Sequence, residues 1–247
     1  MSNANPCLVT TYIERLEQVK SQISSACQAH HRVPASVCLM AATKTHAVPV
    51  IQAAFEAGMR DFGENYVQEG VDKIVALQQL LPNHSAHWHF IGPIQSNKTR
   101  LIAEHFDWVH SVDRLKIAQR LSEQRPENQP ALNICLQVNI SHEPSKRGCT
   151  PSEALMLALA VSQMPHLRLR GLMAIPAPLA ESASEQEQQA PFLAMHTLFN
   201  QIKSTLPNNT QAHFDTLSMG MSADYQHAIA AGSTMVRIGS ALFGERT

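Results

Sequence analysis

The sequence lacks the features that would place the protein in a membrane or on a polyanion. It contains no apolar run of about 18 residues, the shortest length expected of a membrane-spanning helix. Its 19 Lys and Arg residues nearly balance 20 Asp and Glu residues, so the formal net charge is -1 at pH 7. No overall electrostatic field therefore attracts nucleic acid or anionic lipid. We expect neither of them as a partner.

The sequence also lacks the marks of an exported protein. Its five cysteines are an odd number and include no C-x-x-C pair. The first ten residues, MSNANPCLVT, have neither the charged region nor the apolar region of an export signal. We therefore expect a soluble protein of the reducing cytoplasm.

Short apolar or β-branched runs alternate with helical stretches along the chain. An amphipathic helix is predicted from Val9 to about Ala29. Eight strands are then predicted at 37–41, 60–63, 88–92, 107–112, 132–140, 167–175, 213–219 and 234–239. Nearly every strand is followed by a segment long enough for a crossover helix, which forces parallel pairing with the helices outside. The sequence predicts an α/β fold, a (β/α)8 TIM barrel with an extra N-terminal helix, as a single domain over 1–247; a doubly wound open sheet is the alternative.

One segment differs in composition from the rest. Residues 176–191, PAPLAESASEQEQQAP, are rich in Pro, Ala, Ser, Glu and Gln. Such a composition is typical of chain that buries little apolar surface. It predicts a mobile insertion here, with core continuing on both sides.

Lys44 comes directly after the apolar run VCLMAAT (37–43) of the first predicted strand, on the rim where barrels build their active sites. A lysine that is partly desolvated by barrel walls loses pKa and becomes a nucleophile toward aldehydes, as a Schiff base requires. From position alone, a solvent-facing lysine is the alternative.

Two turns rich in Gly and Ser follow the seventh and eighth strands. Ser218 and Ser222 belong to the first turn, with Ser222 predicted as the N-cap of the next helix, and Gly239 and Ser240 open a short final helix. Small residues let backbone N–H groups approach an anion, and loops after strands seven and eight are the usual phosphate site of barrels. Closure would bring Lys44 beside both turns, although each turn alone is also explained by ordinary turn chemistry.

Other polar residues at the strands have two interpretations each. An inward Arg237 would lie under the ligand, where a guanidinium facing a pyridine nitrogen keeps that nitrogen unprotonated; it could instead pair with an acid of the barrel. Glu64 and Asn65 end the second strand on the rim, where they would orient a ligand or a lysine, or cap the next helix. His87 and His89 share a face without an evident third ligand, so no metal site is predicted.

Seven blocks of sequence, in order between about 37 and 245, resemble the pyridoxal phosphate homeostasis protein family. They are AATKTH, FGENYVQEGVDKI, WHFIGPIQSNK, NISHEPSKRG, RGLMAIPAP, LSMGMSADYQHAI and GSTMVRIGSALFG. The resemblance implies an alanine-racemase N-terminal-type barrel with pyridoxal 5'-phosphate (PLP) on Lys44. It also implies phosphate contacts from the Ser218–Ser222 and Gly239–Ser240 turns, and Arg237 at the pyridine nitrogen.

Three functions fit these residues. The first is a non-catalytic carrier that holds PLP as a Schiff base, maintains intracellular vitamin B6 and supplies PLP-dependent apo-enzymes. The second is a fold-type III enzyme such as an amino-acid racemase, which needs a second β-rich domain and a base on each face of the substrate Cα. The third is a barrel that binds another phosphate ester, with Lys44 as a counter-ion. Because the chain ends soon after the last turn and offers one evident lysine, no cysteine placed to face it and only Tyr66 as a mild candidate tyrosine, we expect the carrier. We also expect it to be a monomer.

Overall fold

Eight strands of the described residues pair in parallel, in chain order, and close into a barrel. The computed structural model describes residues 6–82, 85–143, 146–178, 180 and 182–244. The strands are β1 (Cys38–Ala42), β2 (Asp61–Glu64), β3 (His87–Phe90), β4 (Trp108–Val112), β5 (Leu132–Gln137), β6 (Leu167–Met173), β7 (Thr216–Met221) and β8 (Met235–Ile238). The barrel closes where β1 pairs with β8, with Met40 opposite Arg237. The predicted barrel is confirmed, and the open sheet is excluded.

The helices lie between the strands along the chain and cover the barrel. They are α1 (Pro6–Ala29), α2 (Val48–Glu56), α3 (Val67–Leu80), α4 (Thr99–His105), α5 (Leu115–Gln124), α6 (Pro151–Ser162), α7 (Glu185–Thr205), α8 (Asn208–Gln211), α9 (Tyr225–Ala230) and α10 (Ser240–Phe243). The extra N-terminal helix is confirmed: α1 buries Leu16, Val19 and Ile23 and packs on α2, α9 and α10. Within the described residues, no helix combines the length and the apolar character needed to cross a bilayer.

The prediction of a mobile insertion at 176–191 is wrong for its second half. Residues 185–191 form the first turns of α7, and Ser184 caps that helix. The Ser184 Oγ accepts a hydrogen bond from the Glu187 N–H at 3.3 Å, while Glu187 Oε2 accepts from the Ser184 N–H at 2.8 Å. The composition was misleading because the apolar face of α7 begins only at Phe192, and burial of that face outweighs the polar start. Residues 179 and 181 of this segment lie outside the described residues.

Replacing Ser184 with alanine should therefore lower the free energy of unfolding. We expect a loss of about 1 kcal/mol, because the first-turn N–H of Glu187 loses its acceptor. Urea unfolding followed by circular dichroism measures it. Ser204→Ala is the matched control, since the Ser204 hydroxyl only donates to Gln201 O near the other end of α7. Equal stabilities of the two variants would show that Ser184 does not begin the helix.

A chain of polar side chains runs through the lower half of the barrel. His89 Nε2 lies 3.0 Å from Asp61 Oδ1, and His89 Nδ1 lies 3.0 Å from His110 Nε2. Because a carboxylate only accepts, His89 carries its proton on Nε2, and His110 donates from Nε2 to His89. Burial lowers the pKa of both His89 and His110, so both rings are neutral at pH 7. Among the described residues, no group of three or more His, Cys, Asp or Glu side chains is arranged to hold a metal ion.

The Asp61 carboxylate should make the stability of the protein sensitive to acid. Burial alone would raise the Asp61 pKa, but hydrogen bonds from His87 and His89 outweigh burial and hold that pKa well below its usual range. A lowered pKa in the folded state means that the stabilisation is present above about pH 4 and is lost as the pH falls further.

We expect Asp61→Asn to lower the free energy of unfolding at pH 7 by about 2 kcal/mol. We also expect a smaller loss of stability for this variant than for the native protein between about pH 4 and pH 2, where native Asp61 is titrated. Urea unfolding across this pH range is the measurement. Asp72→Asn is the control, because Asp72 is an exposed acceptor from Gln68 on α3. An unchanged acid dependence in Asp61→Asn would contradict the assignment.

Candidate functional site

A cavity of about 270 Å³ opens at the rim formed by the carboxyl ends of the strands. Six of the seven residues selected from the sequence line this cavity: Lys44, Asn65, Ser222, Arg237, Gly239 and Ser240. The seventh, Ser218, is fully buried and contacts Arg237 from β7. The structure therefore brings the predicted residues together from four strand ends.

Lys44 reaches the cavity from a tight turn after β1. The His46 N–H donates to Thr43 O at 3.1 Å, which closes the turn around Lys44 and Thr45. Thr45 has a φ of 69°, in the left-handed region that β-branched residues rarely occupy. Lys44 itself is half-buried. The turn thus holds an amine at the cavity wall rather than on open surface.

The two Gly/Ser turns lie side by side, and their hydroxyls nearly touch. The Oγ atoms of Ser222 and Ser240 are 3.4 Å apart. Gly239 is the N-cap of α10, as the sequence predicts. The predicted N-cap role of Ser222 is wrong: β7 continues to Met221, so the turn occupies 222–224 and Asp224 is the N-cap residue of α9.

Gly220, near the end of β7, is a position just before the first turn that requires glycine. Its φ is 97°, and a Cβ added there would lie 2.7 Å from Ala228 Cβ and 2.9 Å from Tyr225 Cα. The backbone of β7 therefore passes close to α9. This close approach sets the direction in which the chain turns toward Ser222.

Arg237 points into the barrel and is held by oxygen atoms of the neighbouring strands. Its Nη1 donates to both the O and the Oγ of Ser218 at 2.8 Å, and its Nη2 donates to Ala174 O at 2.9 Å. Burial lowers the Arg237 pKa to about 10, against the opposing effect of Asp224. The guanidinium therefore remains protonated at neutral pH. Its described hydrogen-bond partners are carbonyl and hydroxyl oxygens, not the carboxylate that the sequence left open.

Asn65 and Glu64 lie on opposite faces of the chain at the end of β2. Asn65 lines the cavity, and its carbonyl packs so closely on Gly92 that a Cβ there would lie 1.9 Å from Asn65 O. Glu64 does not lie on the rim, because successive side chains of a strand alternate. It is fully buried on the helix side, where its Oε1 accepts from Lys73 Nζ at 2.8 Å. The N-cap residue of α3 is Tyr66, so neither residue caps that helix.

Several residues of the cavity were not selected from the sequence. Ile91, Ile175 and Met221 supply apolar wall, and His46 lies beside Lys44 with its ring centroid 4.7 Å from that of Phe243. His46 could have been found, because it lies two residues after Lys44 in the AATKTH block. Nothing in the sequence distinguishes the apolar lining residues from residues of the hydrophobic core.

The cavity suits an anion that carries a flat ring. Lys44 and Arg237 supply two cations, Ser222 and Ser240 supply hydroxyl donors, and no described residue of the lining is an acid. Ile91 and the other apolar residues can contact the faces of a ring. A phosphorylated aromatic aldehyde would find a phosphate site, an apolar wall and an amine in one place.

The fold and the site together define a barrel of the alanine racemase N-terminal class. The family model described as "Alanine racemase, N-terminal domain" matches residues 15–247. The pyridoxal phosphate homeostasis protein of Pseudomonas aeruginosa is 55% identical over 238 residues, which cover 96% of this chain and 97% of that protein. The protein of the same name from Escherichia coli K12 is 52% identical over 231 residues, covering 94% and 95%.

A solved structure agrees with these relatives. PipY of Synechococcus elongatus, with PLP bound, superposes with a TM-score of 0.79 at 37% identity, covering 94% of this chain and all of that one (100%). The chain belongs to the pyridoxal phosphate homeostasis protein family. The resemblance seen in the seven sequence blocks is thereby confirmed.

Proposed function

We propose that this protein binds PLP on Lys44 as a Schiff base and serves as a non-catalytic carrier that maintains intracellular vitamin B6. The observation that carries the proposal is the shared cavity, in which Lys44 lies with the Ser222 and Ser240 turns and with Arg237. The names of the relatives and the PLP-bound PipY structure support the same ligand. A further effect on amino-acid and keto-acid pools would follow indirectly.

The residues have distinct tasks in this proposal. PLP would supply an aldehyde, with which an unprotonated lysine amine forms a C=N bond while the carbonyl oxygen leaves as water. Ser222 and Ser240 would donate hydrogen bonds to the phosphate, and Gly239 would let the backbone approach it. Asn65 would orient the ring from the end of β2.

Arg237 favours binding of PLP over catalysis by PLP. A guanidinium that stays protonated would donate to the pyridine nitrogen and keep that nitrogen neutral, which would weaken the ring as an electron sink. Ser218 acts on the ligand only through Arg237, because it accepts from Nη1 and fixes the guanidinium. The arrangement therefore disfavours the carbanion chemistry of a racemase.

The described lining also lacks a base on each face of a bound ligand. Among the described lining residues, only Lys44 and His46 carry an amine or an imidazole, and both come from the turn after β1. A racemase needs two bases that approach the substrate Cα from opposite faces. This placement supports the carrier over the racemase.

Titration of the purified protein with PLP, followed by borohydride reduction and peptide mapping, tests the proposal. We expect the absorption band of PLP to shift to longer wavelength until one equivalent is bound, and a reduced adduct on Lys44. Absence of the shift, or an adduct confined to other lysines, would overturn the assignment. Amino acids incubated with the loaded protein in D₂O should keep their Cα hydrogen, whereas catalytic exchange would contradict the non-catalytic part.

We further propose a cytoplasmic monomer that passes PLP to apo-enzymes. Four described cysteines, Cys27, Cys38, Cys135 and Cys149, are free thiols, as a reducing compartment maintains. The mouth of the cavity offers an exit beside Ile175 and Met221, which are 36% and 37% exposed. Sedimentation of the loaded protein and reactivation of a PLP-dependent apo-enzyme, with free PLP trapped, test the two parts separately.

A further inference from the structure

A buried ionic cluster lies behind the turn that carries Lys44. The ammonium of Lys73, on α3, donates to Thr43 O at 2.8 Å, to Glu64 Oε1 at 2.8 Å and to Glu69 Oε1 at 2.6 Å. These three contacts use all three of its donors. The side chains of Lys73 and Glu64 are 6% and 0% exposed, and that of Glu69 is 28% exposed. The cluster is therefore fixed between β1, β2 and α3.

The two ends of the cluster contact the residues on either side of Lys44. Before the lysine, the Thr43 hydroxyl donates a hydrogen bond to Glu64 Oε1 at 2.6 Å, and the Thr43 carbonyl accepts one from Lys73 Nζ. After the lysine, the Thr45 N–H donates to Glu69 Oε1 at 2.5 Å. Lys44 itself belongs to the cavity on the other side of the wall. The cluster thus holds the backbone of the turn while leaving the amine free to react.

The turn needs this support because Thr45, a β-branched residue, has a positive φ, which is unfavourable for such side chains. A φ of 69° at the third position of a four-residue turn is normally taken by Gly or Asn. A β-branched residue there persists only where the surroundings determine the conformation. If Thr45 returned to negative φ, the peptide groups next to Lys44 would rotate and the amine would point elsewhere.

We propose that Glu69, itself oriented by Lys73, is a positioning residue. It holds the Thr43–His46 turn so that the Lys44 amine faces the Ser222 and Ser240 turns. The inference rests on the proposed function of Lys44 and adds to it a support that lies outside the cavity. Glu69 does not line the cavity; it contacts the turn directly at the Thr45 N–H, and it also holds the Lys73 ammonium that donates to Thr43 O.

Amide hydrogen exchange of the PLP-free protein tests the support without using the ligand. In Glu69→Ala, we expect exchange of the peptide that contains Thr43–His46 to rise roughly tenfold, because the Thr45 amide loses a charged acceptor. Glu69→Gln keeps an acceptor oxygen and should stay within about threefold of the native protein. Glu56→Ala is the matched control, since Glu56 accepts from Gln52 on α2 and not from the turn.

Adding Thr45→Gly to Glu69→Ala should restore the turn. Glycine adopts positive φ without steric cost, so the support becomes less necessary. The apparent affinity for PLP should fall roughly tenfold in Glu69→Ala and recover to within about threefold in the double variant, a pattern that a purely structural loss would not produce. Urea unfolding confirms that each variant is folded under the assay conditions.

The outcomes separate the two proposals. Unchanged exchange at Thr43–His46 in Glu69→Ala overturns the positioning role, whatever PLP does. Raised exchange with unchanged PLP affinity also overturns it, because the turn would then not direct the amine. If the native protein forms no adduct on Lys44, the proposed function fails by itself, and the exchange data still show whether Glu69 holds the turn.

Discussion

Replacing Lys44 with alanine is expected to abolish the shift of the PLP absorption band that Schiff-base formation produces and to lower the affinity for PLP by about a hundredfold or more. The reason is that the covalent bond to the carrier is lost, while the Ser222 and Ser240 turns can still hold the phosphate weakly. Spectroscopic titration and retention of PLP during dialysis measure the two effects. Lys98→Ala, outside the cavity lining, should match the native protein.

Lys44→Arg separates a Schiff base from a counter-ion. Arginine keeps the positive charge but cannot condense with an aldehyde under these conditions. We expect this variant to lack the shift of the band and to resemble Lys44→Ala in retention of PLP. Native-like retention in Lys44→Arg would favour the alternative in which Lys44 only neutralises a phosphate ester.

The second large effect is expected on stability, from Lys73→Met. This substitution removes the cation from Glu64 and leaves a fully buried carboxylate without its ionic partner. Breaking a buried ion pair in this way costs about 3–5 kcal/mol. Urea unfolding at pH 8 should show the full loss. Arg100→Met, which breaks an exposed pair with Glu104 on α4, should cost no more than about 0.5 kcal/mol.

The loss in Lys73→Met should depend on pH and on Glu64. Burial raises the Glu64 pKa in the native protein, and Lys73 opposes that rise. Without Lys73 the folded-state pKa rises further, so the folded protein takes up a proton before the unfolded chain does and the penalty shrinks as the pH falls. Adding Glu64→Gln should recover much of the loss at pH 8. A double variant as unstable as Lys73→Met would contradict the buried-charge account.

Local patterns were sufficient to predict the barrel and most of the residues that line its cavity. The alternation of strand and helix implies parallel pairing, and parallel strands end at one rim. Lys44, Gly239 and Ser240 could be placed because each lies one or two residues after the end of a strand. Closure between β1 and β8 then brings the lysine to the turns without further information.

Predictions failed where the outcome depends on the exact residue at which a strand ends, on the face to which a side chain points, or on a buried surface elsewhere in the same helix. Ser222 was predicted as an N-cap because β7 was expected to stop at 219, whereas the strand continues to Met221. Glu64 was predicted on the rim, yet the alternation of side chains sends it to the helix side. Residues 185–191 were predicted to be mobile from composition, although the buried face that follows in α7 orders them.

The sequence by itself determined the α/β barrel class, the family and the rim position of Lys44, because periodicity and adjacent residues carry that information. Only the tertiary structure decided that Glu64 joins the i,i+4 pair of Glu69 and Lys73 behind the Lys44 turn. Glu64 and Lys73 are nine residues apart and join a strand to a helix, and their meeting with Thr43 depends on how β1, β2 and α3 pack. Packing of this kind depends on contacts between separate elements, which no local pattern encodes.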